Sequence, residues 1–119
     1  TGAADERGRG NILNAPLPPG SGGILFRRAW GERLLPEIDA FKPQLILISA
    51  GFDAHRLDPL AGLMLEADDY AWITAELVEL AERHAKGRIV SSLEGGYSLD
   101  ALRDSTLVHV DALRGGHPG

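Results

Sequence analysis

Residues 45–60 read LILISAGFDAHRLDPL. Four large apolar residues, Leu45, Ile46, Leu47 and Ile48, follow one another without polar alternation, the pattern of a strand covered on both faces in a parallel sheet between helices. The run ends in the small residues Ser49, Ala50 and Gly51, then presents an acid, a histidine and a second acid: Asp53, His55 and Asp58. A buried strand thus delivers polar chemistry to a loop. Residues 88–97, RIVSSLEGGY, repeat the arrangement, with an apolar run ending at Gly95, Gly96 and Tyr97. Ligands of open parallel sheets bind beyond the carboxyl ends of the strands. If these two strands are neighbours, about 4.8 Å apart, Asp53 and Tyr97 are expected to face one pocket.

Outward from the first strand, the chain alternates between helix and strand. Residues 1–23 are dense in Gly and Pro and read as loop, with one short strand over residues 11–17. Ser21 is placed to cap a helix over residues 21–41, with Phe26, Trp30 and Leu34 followed by Leu35, Ile38 and Phe41 on its apolar face. Pro36 should kink that helix by removing the bond to the Glu32 carbonyl. Lys42, preceding Pro43, is pushed toward extended geometry and ends it. The first strand covers residues 44–50. Asp68 then caps a helix to residue 86, with Tyr70, Ile73, Leu77, Leu80 and Ala81 at helical period, and Gly87 stands where a left-handed C-terminal residue belongs. A strand over residues 88–93 precedes a helix over residues 98–114, with Leu99, Leu102, Thr106, Val110 and Leu113 along one side. This order implies a parallel sheet sandwiched by helices. The divisions are a loop-rich lead-in (1–23), an alternating body (24–114) and a tail (115–119), all one segment of a single domain.

Composition narrows the function classes. A chain of 119 residues buries roughly two thirds of its unfolded surface, so its core is modest. Hydrophobic residues at 44% and charged residues at 24% are ordinary for a globular protein. No apolar run approaches the ~20 residues that cross a bilayer, which argues against a membrane partner. The 17 acidic residues outnumber the 12 basic ones, giving a net charge of −5, and without a basic tract a nucleic-acid partner is not expected. No cysteine is present, which excludes disulfide scaffolds and thiolate metal sites. TGAADERGRG, residues 1–10, has neither an initiating methionine nor the charged-then-apolar order of a secretory signal. A fragment or processed chain, with a cytoplasmic location, is the expectation.

Each candidate residue has a plain alternative. Asp53 either binds a metal or bonds loop amides, and Asp58-Pro59 is a turn device. Asp53 and His55 are spaced to share a metal if that segment is extended, whereas a turn leaves His55 a solvated loop residue. Tyr97 either faces the pocket or packs on its own helix. Gly95-Gly96, just before a helix, is either a tight turn or a cradle for an anion, which keeps a phosphate- or nucleotide-binding module open beside a non-catalytic interaction fragment. His84 near a helix end is expected on free carbonyls, and His109 and His117 have no acid or nucleophile pattern around them.

SAGFDAHRLDPLAG, followed some 35 residues later by GRIVSSLEGGYSLDAL and preceded by GRGNILNAPLPPGSGG and KPQLILISAG, resembles the C-terminal third of the histone deacetylase superfamily. The likeness is strongest to class II-like bacterial members and acetylpolyamine amidohydrolases and runs from Thr1 to about Leu113. It implies an α/β fold, the three-layer α/β/α sandwich with parallel sheet of the arginase/deacetylase type. It implies that Asp53 is a zinc ligand, that the Tyr97 hydroxyl polarises the acetyl carbonyl, that Leu60 walls the acyl tunnel, and that Gly95 and Gly96 let the tyrosine loop approach substrate. The cofactor so implied is Zn²⁺ and the substrate an acetyl-lysine or an acetylated small molecule such as a polyamine. The family's other two zinc ligands and its histidine pair have no counterpart in these 119 residues. A catalytic zinc requires three protein ligands and an open position. The isolated chain is therefore expected to be inactive, with the missing ligands supplied by an N-terminal part of the same protein. An open sheet edge also points to a homo-oligomer.

Overall fold

A computed structural model describes residues 3–52, 55, 64–96 and 98–115. Residues 3–20 form a lead-in of turns and extended chain without the expected strand. Its ties are largely side chain to backbone. Arg33 donates from Nε to the Asn14 carbonyl (3.0 Å) and from Nη2 to the Ala4 carbonyl (3.1 Å), and the Asn14 amide donates to the Ala3 carbonyl at 2.9 Å.

A single helical path follows, in three parts: α1 (Gly23–Arg28), a π-helical segment (Ala29–Leu34) and α2 (Leu35–Phe41). Ser21 is not its cap. Gly22 occupies the N-cap without a side-chain bond, and the Ser21 hydroxyl donates back to the Pro18 carbonyl. The bond expected to be lost at Pro36 is accommodated by a widened turn. The Leu35 N–H reaches the Trp30 carbonyl, five residues back, and Pro36 falls in the first turn of α2, where its missing N–H has no intrahelical partner to lose. Lys42 ends the path, as expected, but in the left-handed conformation (φ 55°, ψ 63°) and not an extended one. Phe26, Trp30, Leu35 and Ile38 pack toward the core, whereas Phe41 is 79% exposed and does not belong to the apolar face.

β1 (Ile46–Ala50) and β2 (Ile89–Leu93) pair in parallel, with Leu47 opposite Val90 and Ala50 opposite Leu93. They are direct neighbours, the condition under which both loops leave from one edge, and are connected by α3 (Ala67–His84). The cap of α3 is Glu66 and not Asp68. The Glu66 N–H donates to Asp69 Oδ2 at 2.9 Å while the Glu66 side chain accepts from the Asp69 N–H, a reciprocal capping box. Arg27 Nε adds an ion pair to Asp69 at 3.0 Å. Tyr70, Ile73, Leu77, Leu80 and Ala81 are all buried, as their period predicted. The left-handed Lys86 and Gly87 (φ 55° and 76°) turn the chain into β2.

α4 (Leu99–Leu113) is capped by Ser98, whose hydroxyl accepts from the Ala101 N–H. Its buried face differs from the expected one. Ala101, Ser105, His109 and Ala112 face inward, while Leu99 and Val110 are exposed. The stripe of mostly small residues lies along the α3–α4 packing. The helices thus gather over the sheet face bearing Ile46, Ile48 and Ile89. Among the described residues the opposite face, which the first strand's sequence also leads one to expect covered, has no covering layer: Leu47 is 71% exposed and Val90 is 56% exposed.

Candidate active site

Both strands end at one level, and the chain beyond them stays paired. The Glu94 N–H donates to the Ala50 carbonyl at 2.9 Å and the Phe52 N–H donates to the Gly95 carbonyl at 2.8 Å. The parallel ladder therefore continues past Ala50 and Leu93 into the two loops, tying the residue before Asp53 to the segment that leads to Tyr97. Asp53, Leu60 and Tyr97 themselves lie outside the described residues. The backbone on which Asp53 and Tyr97 follow is fixed by these two bonds.

Gly96 shows why a glycine stands here. Its φ is 140°, and a Cβ at this position would come within 3.2 Å of Leu102 Cδ1 and 3.4 Å of Phe52 Cβ. A side chain would both strain the backbone and push the second loop off the first. Gly95 contributes the carbonyl that receives the Phe52 amide.

Phe52 is 2% exposed and lies edge-on to two rings, Tyr70 at 5.0 Å and His109 at 5.6 Å between centroids. His109 is itself 6% exposed, held between Thr74 Oγ1 on Nδ1 and Ser91 Oγ on Nε2, each at 2.8 Å. The Thr74 hydroxyl donates its one proton to the Tyr70 carbonyl at 2.7 Å. Thr74 Oγ1 therefore accepts from His109, which assigns the proton to Nδ1 and leaves Nε2 to accept from Ser91. Burial pushes the imidazole pKa below its ordinary 6.5, favouring this neutral form. Sequence reasoning missed His109, because its partners come from α3 and β2, at separations of 35 and 18 residues. Ala50, Gly51, Phe52, Tyr70, Thr74 and His109 help to line a cavity of about 350 Å³.

His55 is 4% exposed and forms an isolated parallel bridge with Leu65, while its N–H donates to the Phe52 carbonyl at 3.3 Å. It is a buried loop residue and not a solvated one. His84 also departs from expectation. Its Nε2 meets Asp39 Oδ1 at 2.7 Å, the same oxygen that accepts from Arg83 Nη1 at 2.7 Å, so a carboxylate and not a free carbonyl is its partner. His84 and Arg83 together hold the Asp39 pKa below the usual carboxylate value. His117 lies outside the described residues.

Among the described residues no three His, Cys, Asp or Glu side chains converge as a metal site. Asp53 is an oxygen donor suited to a divalent ion, but one carboxylate does not make the three-ligand set of a catalytic zinc.

The chain resembles known proteins along almost its whole length. The family described as "Histone deacetylase domain" matches residues 1–113. The chain is 46% identical over 111 residues to a histone deacetylase-like amidohydrolase of Pseudomonas aeruginosa, covering 93% of this chain and 29% of that protein. It is 47% identical over 105 residues to type-2 histone deacetylase 1 of Dictyostelium discoideum, covering 88% of this chain and 7% of that protein. The chain thus spans less than a third of the length of either relative. A crystal structure of the HDA15 HD domain superposes with a TM-score of 0.89 at 35% identity, covering 100% of this chain and 34% of the other. The parallel pair with its overlying helices is thus part of the α/β deacetylase fold. Since the match runs through both strands and both of the loops they feed, the chain belongs to the histone deacetylase domain family.

Proposed function

We propose that the protein carrying this chain is a zinc-dependent deacetylase that hydrolyses the acetyl amide of an acetyl-lysine or an acetylated small molecule such as a polyamine. The observation that carries this reading is the bond from the Phe52 N–H to the Gly95 carbonyl, 2.8 Å long. It joins the backbone leading to Asp53 with the backbone leading to Tyr97, as a site shared by those two residues requires. Family membership supports the reaction class. In this reading Asp53 is one oxygen ligand of the zinc, and the remaining ligands come from outside the 119 residues. Zinc in such sites supplies a water acidified toward a pKa of about 7. Tyr97 donates its hydroxyl proton in a hydrogen bond to the acetyl carbonyl oxygen, where negative charge develops as the amide is attacked. Gly95 and Gly96 keep the approach to that carbonyl narrow and free of side chains, and Leu60 walls the acyl group.

The same proposal has the isolated chain inactive. It includes a cytoplasmic location, and assembly with the rest of a longer chain or with a second copy. An anion-binding role for Gly95-Gly96 is less favoured, because the Ser98 hydroxyl already accepts an N–H in the first turn of α4.

The test is Tyr97→Phe in the full-length protein. Deacetylation should fall at least ~10²-fold, the usual loss for one oxyanion donor, with zinc content unchanged by metal analysis. Undiminished turnover would remove the oxyanion role.

A further inference from the structure

Phe52 joins three elements that the proposed reaction needs in register. Its N–H is held by Gly95, its Cβ lies against the open side of Gly96, and its ring is set between Tyr70 of α3 and His109 of α4. None of these contacts involves a group that titrates as an acid toward substrate, and Phe52 is almost wholly buried. It touches the reacting atoms nowhere in the proposed scheme. Yet it immediately precedes Asp53 in the chain, and Gly96 immediately precedes Tyr97.

The support behind the ring is a chain of hydrogen bonds from α3 through His109 to β2. His109 cannot rotate about its ring axis without losing either Thr74 or Ser91, and Thr74 cannot rotate without leaving the Tyr70 carbonyl. A neutral imidazole with both nitrogens occupied is locked in orientation, as in the supporting hydrogen bonds that fix catalytic groups elsewhere. The orientation of the His109 ring against Phe52 is therefore set by α3, α4 and β2 together.

We infer that Phe52, braced by His109, is a positioning residue that clamps the Asp53 loop to the Tyr97 loop. The inference rests on the deacetylase reading for its catalytic consequence, but the clamp is measurable without it. A displacement of about 1 Å between groups that must act on one carbonyl costs on the order of 10²-fold in rate. Loosening the clamp should consequently lower kcat and leave KM nearly unchanged, since the contacts it changes are those that hold the two loops together.

The experiment compares Phe52→Leu, His109→Ala and His109→Gln with Leu77→Ala in the full-length protein. Leu77 is buried between α3 and the sheet, outside the proposed machinery, and serves as a control for lost stability. Two quantities are read: steady-state deacetylation, and hydrogen exchange of the residue 52 amide. Phe52→Leu should lower kcat at least tenfold with KM within about twofold, and should speed exchange of that amide at least tenfold. His109→Ala should do the same more weakly. His109→Gln, which can still accept from Ser91, should recover part of both effects. Leu77→Ala should lower the melting temperature without either change. The clamp is overturned if exchange at residue 52 is unaltered in Phe52→Leu and His109→Ala, or if Leu77→Ala reproduces both effects at an equal loss of melting temperature. Should the wild-type protein show no deacetylation, the reaction assignment fails while the exchange measurement still decides the clamp.

Discussion

The two faces of the β1–β2 pair are built from nearly the same residues and meet opposite surroundings. On one, Ile46, Ile48 and Ile89 pack against Ile73, Leu77 and Leu80 of α3. On the other, Leu47 and Val90 lie opposite each other, exposed. An antiparallel sheet with a solvated face normally places polar residues there. Here the sequence is apolar on both faces while the described residues cover one. Strand composition thus reports the covering a strand calls for, and the observed burial reports the covering this chain supplies. The distinction matters for function, because the loops that carry the candidate chemistry leave from the ends of this same pair.

The largest expected effect separates the faces directly. In the 119-residue chain Leu77→Ala should cost about 2–5 kcal/mol, as buried leucine truncations do, and Leu47→Ala no more than about 0.5 kcal/mol, as exposed substitutions do. Equal losses by denaturant titration would erase the difference. Repeating Leu47→Ala in the full-length protein sharpens it, since a cost above about 2 kcal/mol there would mean that other residues cover the outer face.

A smaller effect is expected where the covering helix begins. Asp69 receives the Glu66 N–H and the Arg27 guanidinium, so Asp69→Ala should lower stability by about 1–2 kcal/mol, the range for loss of a helix cap. A change under ~0.3 kcal/mol in the same titration would mean that the capping box contributes nothing beyond the helix it starts.

The smallest effect is one of pH. Burial holds the His109 pKa below 6.5, so the unfolded chain binds a proton more readily than the folded one. Stability is therefore fully present above about pH 6.5 and is lost as the pH falls toward the lowered value. Melting temperatures between pH 7.5 and pH 5 should decline on acidification, and His109→Gln should flatten that decline. An unchanged slope in the variant would assign it to other groups.

How much of this was legible depended on the physics that each residue obeys. The parallel pairing was legible because consecutive Leu and Ile before a small-residue turn leave few alternatives, and the α3 face was legible because its large apolar residues keep helical period. The face of α4 was not. Hydropathy selects Leu99 and Val110, which are exposed, beside Leu102, which does pack on the core, whereas the fully buried residues include Ala101, Ser105 and Ala112, where low bulk serves contact with α3 better than apolar area. The caps were misassigned for a related reason. Ser21 and Asp68 are good capping types, but the neighbours that actually close the turns are Gly22 and the Glu66–Asp69 pair. For the loop after β2, the glycine pair marked a turn, and the positive φ of Gly96 is where such a residue is needed. The bracing by His109 depends on long-range partners that no local spacing encodes.

Arg33 gives the lead-in an unexpected topology. By holding the carbonyls of Ala4 and Asn14 with one guanidinium, it closes the intervening chain into a ring. The entropy of closing such a ring grows only with the logarithm of its length, about 0.6 kcal/mol for each doubling. Residues can therefore be inserted between those two carbonyls at little energetic expense, provided that the arginine keeps both ends. The loop-rich start of the chain is thus a place where length is free to drift while attachment is not.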